Sequence, residues 1–568
     1  MAVNVDHMMV AALDFGTTYS GYAFSMIHDP HKIYANHAWN SGETRLLSLK
    51  APTCLLLNRK KQFVAFGYDA ENQYGDIVLD GKEDEYYYFQ RFKMTLHSNK
   101  NITTTMTLKD LSGKHMLATQ VFGLSIKALV DHLMDMVERR PNPIKKNEIK
   151  WVLTVPAIWT DGAKQFMRKC AESAGILSDR LILALEPEAA SIFCQYSPAE
   201  EQHRIETGTS YMVVDLGGGT ADITVHEKMA NGKLKELSRA DGSNCGGTSV
   251  DDRFFQLLVK ILGGQLMKFL RDYNLSAYLS LFREFETVKR TIDSIKTDYV
   301  NMVVPCSSLE KLCKKFLGED FTSAIESSTL KNDIRLCGDK IRINVDRMMK
   351  LFTPTIDDIV ALMNEVLQRK KASGVTHIML VGGFAECRLI QDRVNESFPD
   401  KTIIVPREAQ LSILKGAVLF GHNPDLVKYR VMRFSYGIET SRTFIDKQDD
   451  KKYMKLVNDE KLCHKLFAKL VSKNEDVRCG KKIQREFFTS YANQDEIIFK
   501  IYISTDENPC HIDEESCKVI GEMKIKLHNP CSAKRYVDVE AVFGNTEIGI
   551  TAVDRKTRQK ITSSFNLV

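Results

Sequence analysis

Two short segments of the chain place carboxylates, glycines and hydroxyls where they could bind a phosphate. The first runs from Asp14 to Tyr19 and reads Asp-Phe-Gly-Thr-Thr-Tyr; the second, residues 215–224, reads Asp-Leu-Gly-Gly-Gly-Thr-Ala-Asp-Ile-Thr. Successive backbone N–H groups in a glycine turn form a concavity that binds anions. A carboxylate beside such a site usually reaches a metal ion, most often through water. These residue types and spacings therefore predict a metal-assisted phosphate site.

Lys93 and Glu186 are further candidates for this chemistry. Lys93 follows an aromatic stretch and could face a phosphate in a cleft, although a surface lysine is the alternative. Glu186 follows the apolar run 181–185, at the carboxyl end where α/β sheets place ligand-binding groups. It could orient a nucleophilic water or hold hydrated magnesium, or it could only begin a helix.

A predicted helix over residues 281–295 carries three charged residues on one face, through spacings of three and four: Glu286, Lys289 and Arg290. Such a face could hold the ribose and phosphates of a nucleotide, and the alternative is a solvated, ion-paired helix. Two more glycine pairs are candidates for nucleotide binding. Gly246-Gly247 leads into a helix, and Gly382-Gly383-Phe384 follows an apolar strand, where the backbone can closely approach a flat base or its phosphates.

The elements that would position these residues fall into two patterns. Both phosphate segments lie between short apolar runs, so each is predicted to be the turn of a hairpin, and together they predict two similar lobes sharing one phosphate. The alternative is two ordinary hairpins with Asx turns. Strands and helices alternate up to about residue 420, which predicts an α/β portion. Beyond 421–424, alternating strands predict a separate, mostly β domain.

Composition excludes several classes of protein. The 568 residues are 43% hydrophobic and 27% charged, as in an ordinary globular protein with several domains. A net charge of +5 is too small to indicate binding to nucleic acid or to a membrane surface. Thirteen scattered cysteines without a Cys-x-x-Cys pair suit reduced thiols. Residues 1–7 lack a basic-then-apolar pattern and no apolar run reaches membrane-spanning length, so neither a signal peptide nor a membrane span is expected. The sequence therefore predicts a cytoplasmic protein.

Taken together, these motifs resemble the 70-kDa heat-shock chaperone family, and the first hairpin most resembles its divergent 12A/12B-like branch. The resemblance implies a two-lobed actin-like ATPase (ribonuclease H-like) domain over residues 8–422, a linker over 423–433 and a mostly β peptide-binding-like domain over 434–568. It also implies stress-related chaperone activity, ATP or ADP with Mg²⁺ as cofactors, and peptide or protein clients with co-chaperones as partners.

The same resemblance assigns roles to individual residues. Its catalytic residues match Lys93, Glu186, Asp215 and Thr220. Asp14 and Asp215 would position magnesium, through water. Its nucleotide-binding residues match Gly16, Thr17, Thr18, Tyr19, Gly217, Gly218, Gly219, Thr220, Gly246, Gly247, Glu286, Lys289, Arg290, Gly382, Gly383 and Phe384.

Four departures from the family pattern stand out. Glu386 replaces the arginine that family members place on adenine, which leaves Phe384 to stack on the base. The linker lacks the family's acidic-then-leucine sequence, which predicts weak coupling between the domains. About two dozen residues, 442–465, replace a short loop of the β domain. The sequence ends shortly after the β domain, so no helical lid is expected.

The function expected from this resemblance is slow Mg-dependent ATP hydrolysis coupled to the binding of extended peptides. A peptide cleft is expected near Phe487, Ser490, Ile497 and Phe499, with the alternative that these apolar side chains are sandwich core. Three other functions stay open: a nucleotide-dependent scaffold with little hydrolysis, a metabolite kinase of the same fold and, least favoured, an actin-like filament protein.

Overall fold

A computed structural model describes residues 7–36, 39–40, 47–99, 102–139, 142–196, 204–293, 298–457, 460–489, 491 and 493–563. Ser490, one of the residues expected near a peptide cleft, lies outside this part of the chain. The strands in the described residues are β1 Met9–Phe15, β2 Tyr19–Met26, β3 Asp29–Ala35, β4 Trp39–Asn40, β5 Leu47–Ser48, β6 Ala51–Pro52, β7 Cys54–Asn58, β8 Phe63–Phe66, β9 Tyr86–Gln90, β10 Thr107–Lys109, β11 His115–Leu117, β12 Ile149–Val155, β13 Leu181–Leu185, β14 Ser210–Leu216, β15 Ala221–Lys228, β16 Leu234–Ser243, β17 Tyr299–Val303, β18 Ile334–Cys337, β19 Lys340–Asn344, β20 Val375–Val381, β21 Thr402–Ile404, β22 Val427–Val431, β23 Ser435–Thr443, β24 Met454–Val457, β25 Glu460–Val471, β26 Asp476–Arg478, β27 Lys481–Phe488, β28 Glu496–Ser504, β29 Cys517–Lys526, β30 Tyr536–Phe543, β31 Gly549–Asp554 and β32 Lys560–Ser563.

The α-helices in the described residues all precede residue 423. They are α1 Tyr68–Leu79, α2 Met94–Ser98, α3 Ala118–Glu138, α4 Asp161–Ser173, α5 Glu186–Tyr196, α6 Gly247–Leu262, α7 Gly264–Tyr273, α8 Leu275–Thr291, α9 Cys306–Phe316, α10 Phe321–Ser327, α11 Val345–Leu367, α12 Arg388–Ser397 and α13 Ala409–His422. In the described residues none of these helices is long and apolar enough to cross a membrane.

The first large sheet has the strand order β13-β12-β1-β2-β3, with the short strand β6 also paired to β2. Strands β1, β12 and β13 are parallel, and β1 and β2 form an antiparallel hairpin. Every residue of β1 is buried because helices cover both faces of the sheet. Alternate residues of β1 accordingly belong to different cores: Leu13 packs with α3 and α4, whereas Ala12 packs with α5 and α13.

The second large sheet has the order β21-β20-β14-β15-β16-β22-β26, with β14 and β15 as its central hairpin. One face of β14 contributes Val214 to a core with α6, α8 and α11. Its other face contributes Val213 to the core that holds α5, α13 and Ala12 of the first sheet. The helix pair α5 and α13 therefore joins the two sheets, and the turns of the two central hairpins come together.

Residues 427–431, expected to be part of a linker, form a strand of the second sheet. This strand, β22, is parallel to β16 and antiparallel to β26, which comes from the C-terminal region. Within it Arg430 is buried and donates two hydrogen bonds of 2.7 and 2.6 Å to the Glu188 carboxylate on α5. The segment assigned to the linker is therefore held by a buried ion pair and two neighbouring strands, while the predicted weak coupling between the domains stays a prediction.

The C-terminal region consists of two packed sheets, with orders β24-β25-β23-β28-β29 and β27-β30-β31-β32. Their facing side chains form one core. Between 435 and 563, the described residues include no α-helix. The added residues 442–465 are not a loop: they complete β23, form a 3-10 turn at Lys451–Tyr453 and build a hairpin from β24 and β25. A small core of Phe444, Tyr453 and Cys463 holds this hairpin against the sheet.

Candidate functional site

A cleft of about 1210 Å³, measured to its open mouth, lies where the two central hairpins meet. It gathers nearly every residue that the sequence singled out. Among the predicted site residues, those lining it are Asp14, Gly16, Thr17, Thr18, Tyr19, Lys93, Glu186, Asp215, Gly217, Gly218, Gly219, Thr220, Gly247, Glu286, Lys289, Arg290, Gly382, Gly383 and Phe384. Gly246 lies behind the lining, where an added Cβ would meet the backbone of Gly218 at 2.6 Å.

The two glycine turns face each other at the base of the cleft. A Cβ added to Gly218 would collide with the side chain of Thr18, and one added to Gly219 would lie 3.0 Å from Oγ1 of Thr17. Glycine is therefore required here because each turn approaches the hydroxyls of the other. The backbone and the threonine hydroxyls of both turns line the cleft together, and such turns suit the binding of phosphate groups.

Lys93 and Glu186 form a buried ion pair at one side of the cleft. Nζ of Lys93 lies 2.9 Å from Oε1 of Glu186, and the side chains are 5% and 11% exposed. The ammonium also lies 5.1 Å from the centre of the Trp159 ring. Burial raises the pKa of Glu186, an effect that Lys93 partly opposes. Both residues sit at element ends: Lys93 precedes α2, and Glu186 is the first residue of α5 after β13.

Asp14 has partners for both carboxylate oxygens. Lys50 donates to Oδ2 at 2.6 Å, and Oγ1 of Thr154 donates to Oδ1 at 2.8 Å. Burial alone raises the pKa of Asp14, but the lysines Lys50 and Lys93 outweigh it and hold that pKa below its usual value. Asp14 is therefore ionised and already paired with a cation.

Asp215 and Asp222 differ from Asp14, because they have carboxylate oxygens without hydrogen-bond partners in the described residues and their pKa values are raised. They lie opposite each other in the β14–β15 register and are 4% and 1% exposed. In the described part of the chain, Oδ1 of Asp215 and both carboxylate oxygens of Asp222 have no hydrogen-bond partner. Burial, together with Glu186, raises the pKa of both residues, that of Asp222 to about 8. Asp215 lines the cleft whereas Asp222 lies behind it, so the unpartnered oxygen of Asp215 fits a hydrated divalent cation there.

The carboxylates at this site suit a cation that is bound through water molecules rather than by direct ligands. Among the described residues, no three side chains of the histidine, cysteine, aspartate or glutamate types form a group able to hold a metal ion. Magnesium keeps several of its waters when it binds beside phosphates, so one or two carboxylates suffice for it. Asp215 fits the role predicted for it, whereas Asp14 shares its carboxylate with Lys50.

The charged face of α8 borders the cleft and is ion-paired. Lys289 lies 2.7 Å from Asp251 of α6 and 2.5 Å from Glu286, and Arg290 lies 2.9 Å from Glu286. The Arg290 guanidinium also stands 5.7 Å from the centre of the Tyr19 ring, which connects α8 to the first hairpin. Both interpretations of the sequence therefore apply in part, because this face of α8 forms a network of ion pairs and also lines the cleft.

The third glycine loop closes the cleft beside α12. Gly382 has a φ of +89°, and a Cβ there would lie 2.5 Å from the Leu216 carbonyl, so this turn needs glycine. A Cβ on Gly383 would meet nothing within 4 Å. Phe384 is only 6% exposed and packs beside Gly247. Glu386 lies outside the cleft lining, where its carboxylate accepts a 3.4 Å hydrogen bond from the backbone N–H of Gln410.

Sequence reasoning missed several residues that also line the cleft. They are Lys50, Met94, His97, Pro156, Trp159, Thr248, Cys387, Gln410 and Ile413. Met94 and Thr248 are adjacent to predicted residues, and His97 and Cys387 lie within four residues of them, so these could have been found by proximity. The others could not; Lys50, for example, has no motif around it, and its place depends on which strands pair.

The expected peptide residues occupy a different environment. Ile497 and Phe499 are 8% and 3% exposed and belong to the core between the two C-terminal sheets. Phe487 packs against that core, with its ring centre 5.0 Å from that of Phe499. The alternative of a sandwich core therefore holds for these three side chains, because strand alternation turns them towards the opposite sheet.

Comparison with known proteins identifies the family. The family model described as Hsp70 protein matches residues 81–462 of this chain. The chain belongs to the Hsp70 family. It is 32% identical to heat shock 70 kDa protein 12A of Mus musculus, over 98% of this chain and 90% of that protein. Heat shock 70 kDa protein 12B of Homo sapiens is 30% identical, over 99% of this chain and 91% of the relative.

A more distant Hsp70 relative matches a smaller share of the chain. The chaperone protein DnaK of Elusimicrobium minutum is 26% identical over 51% of this chain and 43% of its own length. The likeness to the 12A and 12B proteins extends over nearly the whole chain, including the β region, and confirms the resemblance to that branch. The actin-like ATPase fold of the Hsp70 family agrees with the α/β content described above.

Proposed function

We propose that this Hsp70-family chain binds Mg-ATP in the cleft between the two lobes of an actin-like ATPase domain, residues 8–422, and hydrolyses it slowly. The observation that carries the proposal is the convergence of three glycine loops and a buried Lys93–Glu186 pair on one cleft. Added Cβ atoms on Gly218 and Gly382 would collide with Thr18 and with the Leu216 carbonyl, so glycine is what lets these loops come together at the cleft.

Each residue has a role that follows from its position. The N–H groups of the turns at 16–18 and 218–220 would hold the β- and γ-phosphates, with Thr17 and Thr220 beside the γ-phosphate. Lys93 would contact the γ-phosphate and, with Glu186, orient the attacking water. The face of α8 and the loop 382–384 would hold the nucleoside. Asp215 would hold hydrated magnesium, with Asp14 near it, and the ion neutralises charge on the phosphates when bound.

We also propose that nucleotide state is coupled to partner binding in the β domain, residues 434–568. Support comes from the linker strand β22 and from contacts between α4 and the β domain. Arg168 donates to Glu547 at 2.6 Å, and the hydroxyl of Tyr436 donates to Asp161 at 2.6 Å. A change in the separation of the lobes would strain these contacts, so the two regions can bias each other.

Client binding is proposed for the outer surface of the β domain. The apolar side chains that this region exposes include Phe488 at 50%, Tyr491 at 57% and Ile498 at 43%. An extended peptide or a protein partner would bind by main-chain hydrogen bonds and contact with such side chains. With no helix over the surface among residues 435–563 that the structure describes, exchange of bound peptide is expected to be fast. A cytoplasmic location is proposed with this function.

A nucleotide-dependent scaffold with little hydrolysis is the second candidate. It is favoured by one observation, the pairing of Asp14 with Lys50, because a lysine at this carboxylate competes with the cation that assists hydrolysis. In this case the chain would bind ATP and change its partner affinity without turnover. A metabolite kinase is less favoured since it gives the β domain no role.

Single-turnover hydrolysis of Mg-ATP, with and without unfolded peptide, tests the proposal. Lys93→Met and Glu186→Gln are expected to lower the rate by about 100-fold, the loss typical of a positioned proton-transfer group. Lys82→Met is the control, because Lys82 is an exposed lysine paired only on the surface with Asp80. ATP binding without turnover in the wild type would favour the scaffold, and unchanged rates in both variants would refute the assigned roles.

A further inference from the structure

Lys50 is a partly buried lysine in the cleft to which no motif assigns a role. Its Nζ lies 2.6 Å from Oδ2 of Asp14, and its side chain is 14% exposed. It lines the same cleft as the glycine turns. Burying an ammonium is costly unless it is paired, so its position needs a reason.

The strand register shows how the sequence builds this contact. Asp14 on β1 is paired with Gly21 on β2, and the next residue pair outward joins Ser20 to Ala51 of β6. Lys50, immediately before β6, therefore lies beside Gly21. A Cβ on Gly21 would stand 3.0 Å from Cγ of Lys50, so glycine provides the space in which the lysine side chain crosses β2 to reach Asp14.

The distribution of charge around the phosphate space is uneven as a result. Lys50 stands at Asp14 on one side and Lys93 stands at Glu186 on the other. Asp215 and Asp222, on the second hairpin, have carboxylate oxygens without partners in the described residues. One ammonium therefore occupies the carboxylate of the first hairpin, and the cation-fitting oxygens are all on the second.

We propose that Lys50 is a phosphate ligand that serves as a built-in cation, so that this chain binds ADP and ATP without a divalent metal ion. The inference rests on the proposed nucleotide binding. An ammonium has three donors and acts on phosphate as a compact point charge, so it can bridge the Asp14 carboxylate and a phosphate oxygen. Metal ions then adjust the affinity through the second hairpin but are not needed for binding.

Calorimetric titration with ADP and ATP, in excess EDTA and in excess MgCl₂, tests this inference. For the wild type we expect dissociation constants in the two buffers that agree within about tenfold. Lys50→Met is expected to weaken binding in EDTA by about tenfold or more, as for loss of a hydrogen bond to a charged group, and MgCl₂ should recover most of the loss. Lys82→Met, on an exposed lysine, should behave as the wild type.

Three results overturn the inference. They are wild-type binding that requires MgCl₂, equal affinities of Lys50→Met and wild type in EDTA, and no nucleotide binding in either buffer. Only the last also overturns the proposed function. If Lys50→Met fails to fold, chemical modification of the wild type tests the inference instead. ADP in EDTA should protect Lys50 and slow its reductive methylation relative to that of Lys82, measured by mass spectrometry. Equal rates with and without ADP would mean that Lys50 only pairs with Asp14.

Discussion

Removing the Arg430 guanidinium tests whether the linker strand is held by its buried ion pair. Arg430 and Glu188 have side chains 9% and 3% exposed. Burial alone lowers the pKa of Arg430, but the Glu188 carboxylate outweighs it and raises that pKa, so the arginine stays charged. Its Nη1 also donates to the carbonyl of Gly544 at 2.7 Å, which ties the strand to the β domain. Arg430→Met leaves Glu188 as a buried charge without its partner.

The size of the effect follows from the burial. Breaking a buried pair by removing one partner costs about 3–5 kcal/mol. Unfolding entropy of about 2.1 cal/mol/K per residue gives about 0.9 kcal/mol/K for a unit of about 415 residues, so the expected fall in Tm is about 3–6 °C. The double variant Arg430→Met with Glu188→Gln removes both charges and should recover at least about half of that loss.

Differential scanning calorimetry at neutral pH measures both variants. Arg442→Met is the matched control, because the Arg442 side chain is 41% exposed where it pairs with Asp449, and its loss should shift the Tm by less than about 1 °C. A Tm for Arg430→Met within about 1 °C of the wild type would refute the reasoning. A double variant as unstable as the single one would show that lost packing, rather than the uncompensated charge, causes the effect.

Two further predictions concern the β domain and a buried histidine. Ile497→Asp should lower the Tm by more than about 5 °C because it buries a charge in the sandwich core. Ile498→Asp, on the exposed face of the same strand, should change the Tm by less than about 1 °C. Similar Tm shifts for the two variants would contradict the burial of Ile497 and the exposure of Ile498. Burial lowers the pKa of His226 to about 4, so the unfolded chain binds its proton first and the native state loses stability as pH falls from about 6.5 to about 4. Relative to His226→Gln, the wild type should lose about 3 kcal/mol across that window, and a pH-independent difference would contradict the prediction.

Much of the fold could be predicted because strongly apolar, well-bounded segments reveal their secondary structure. The continuous apolar run 149–155 and the alternating runs 496–504 and 536–543 each predict a strand, and the structure has strands with those bounds. Helical periodicity predicts a helix over residues 355–369, but the helix begins ten residues earlier, at Val345, because Pro354 lies inside it and resembles a helix start. The mixed composition of residues 296–340 predicts a helical or loop-rich insertion, which also contains β17 and β18 because short half-buried strands have a weak pattern.

The residues of the candidate site were likewise predictable where local sequence determines them and not where distant segments must pair. The residues of the glycine turns could be predicted as part of the cleft because consecutive residues in the sequence determine both the turn and its polar groups. Lys50 and the Arg430–Glu188 pair were missed because each depends on the pairing of segments distant in sequence. The same dependence explains why the sequence did not reveal that residues 427–431 form a strand of the second sheet.

Binding of Mg-ATP itself tests the central claim most directly. Isothermal titration of the full chain should show one site per molecule in the wild type and in Gly374→Val, where an added Cβ meets nothing within 4 Å. Gly218→Val should weaken binding at least about tenfold, since its side chain would collide with Thr18 inside the phosphate space. Wild-type protein that binds no ATP, or Gly218→Val that binds it as tightly as the wild type, would contradict the account.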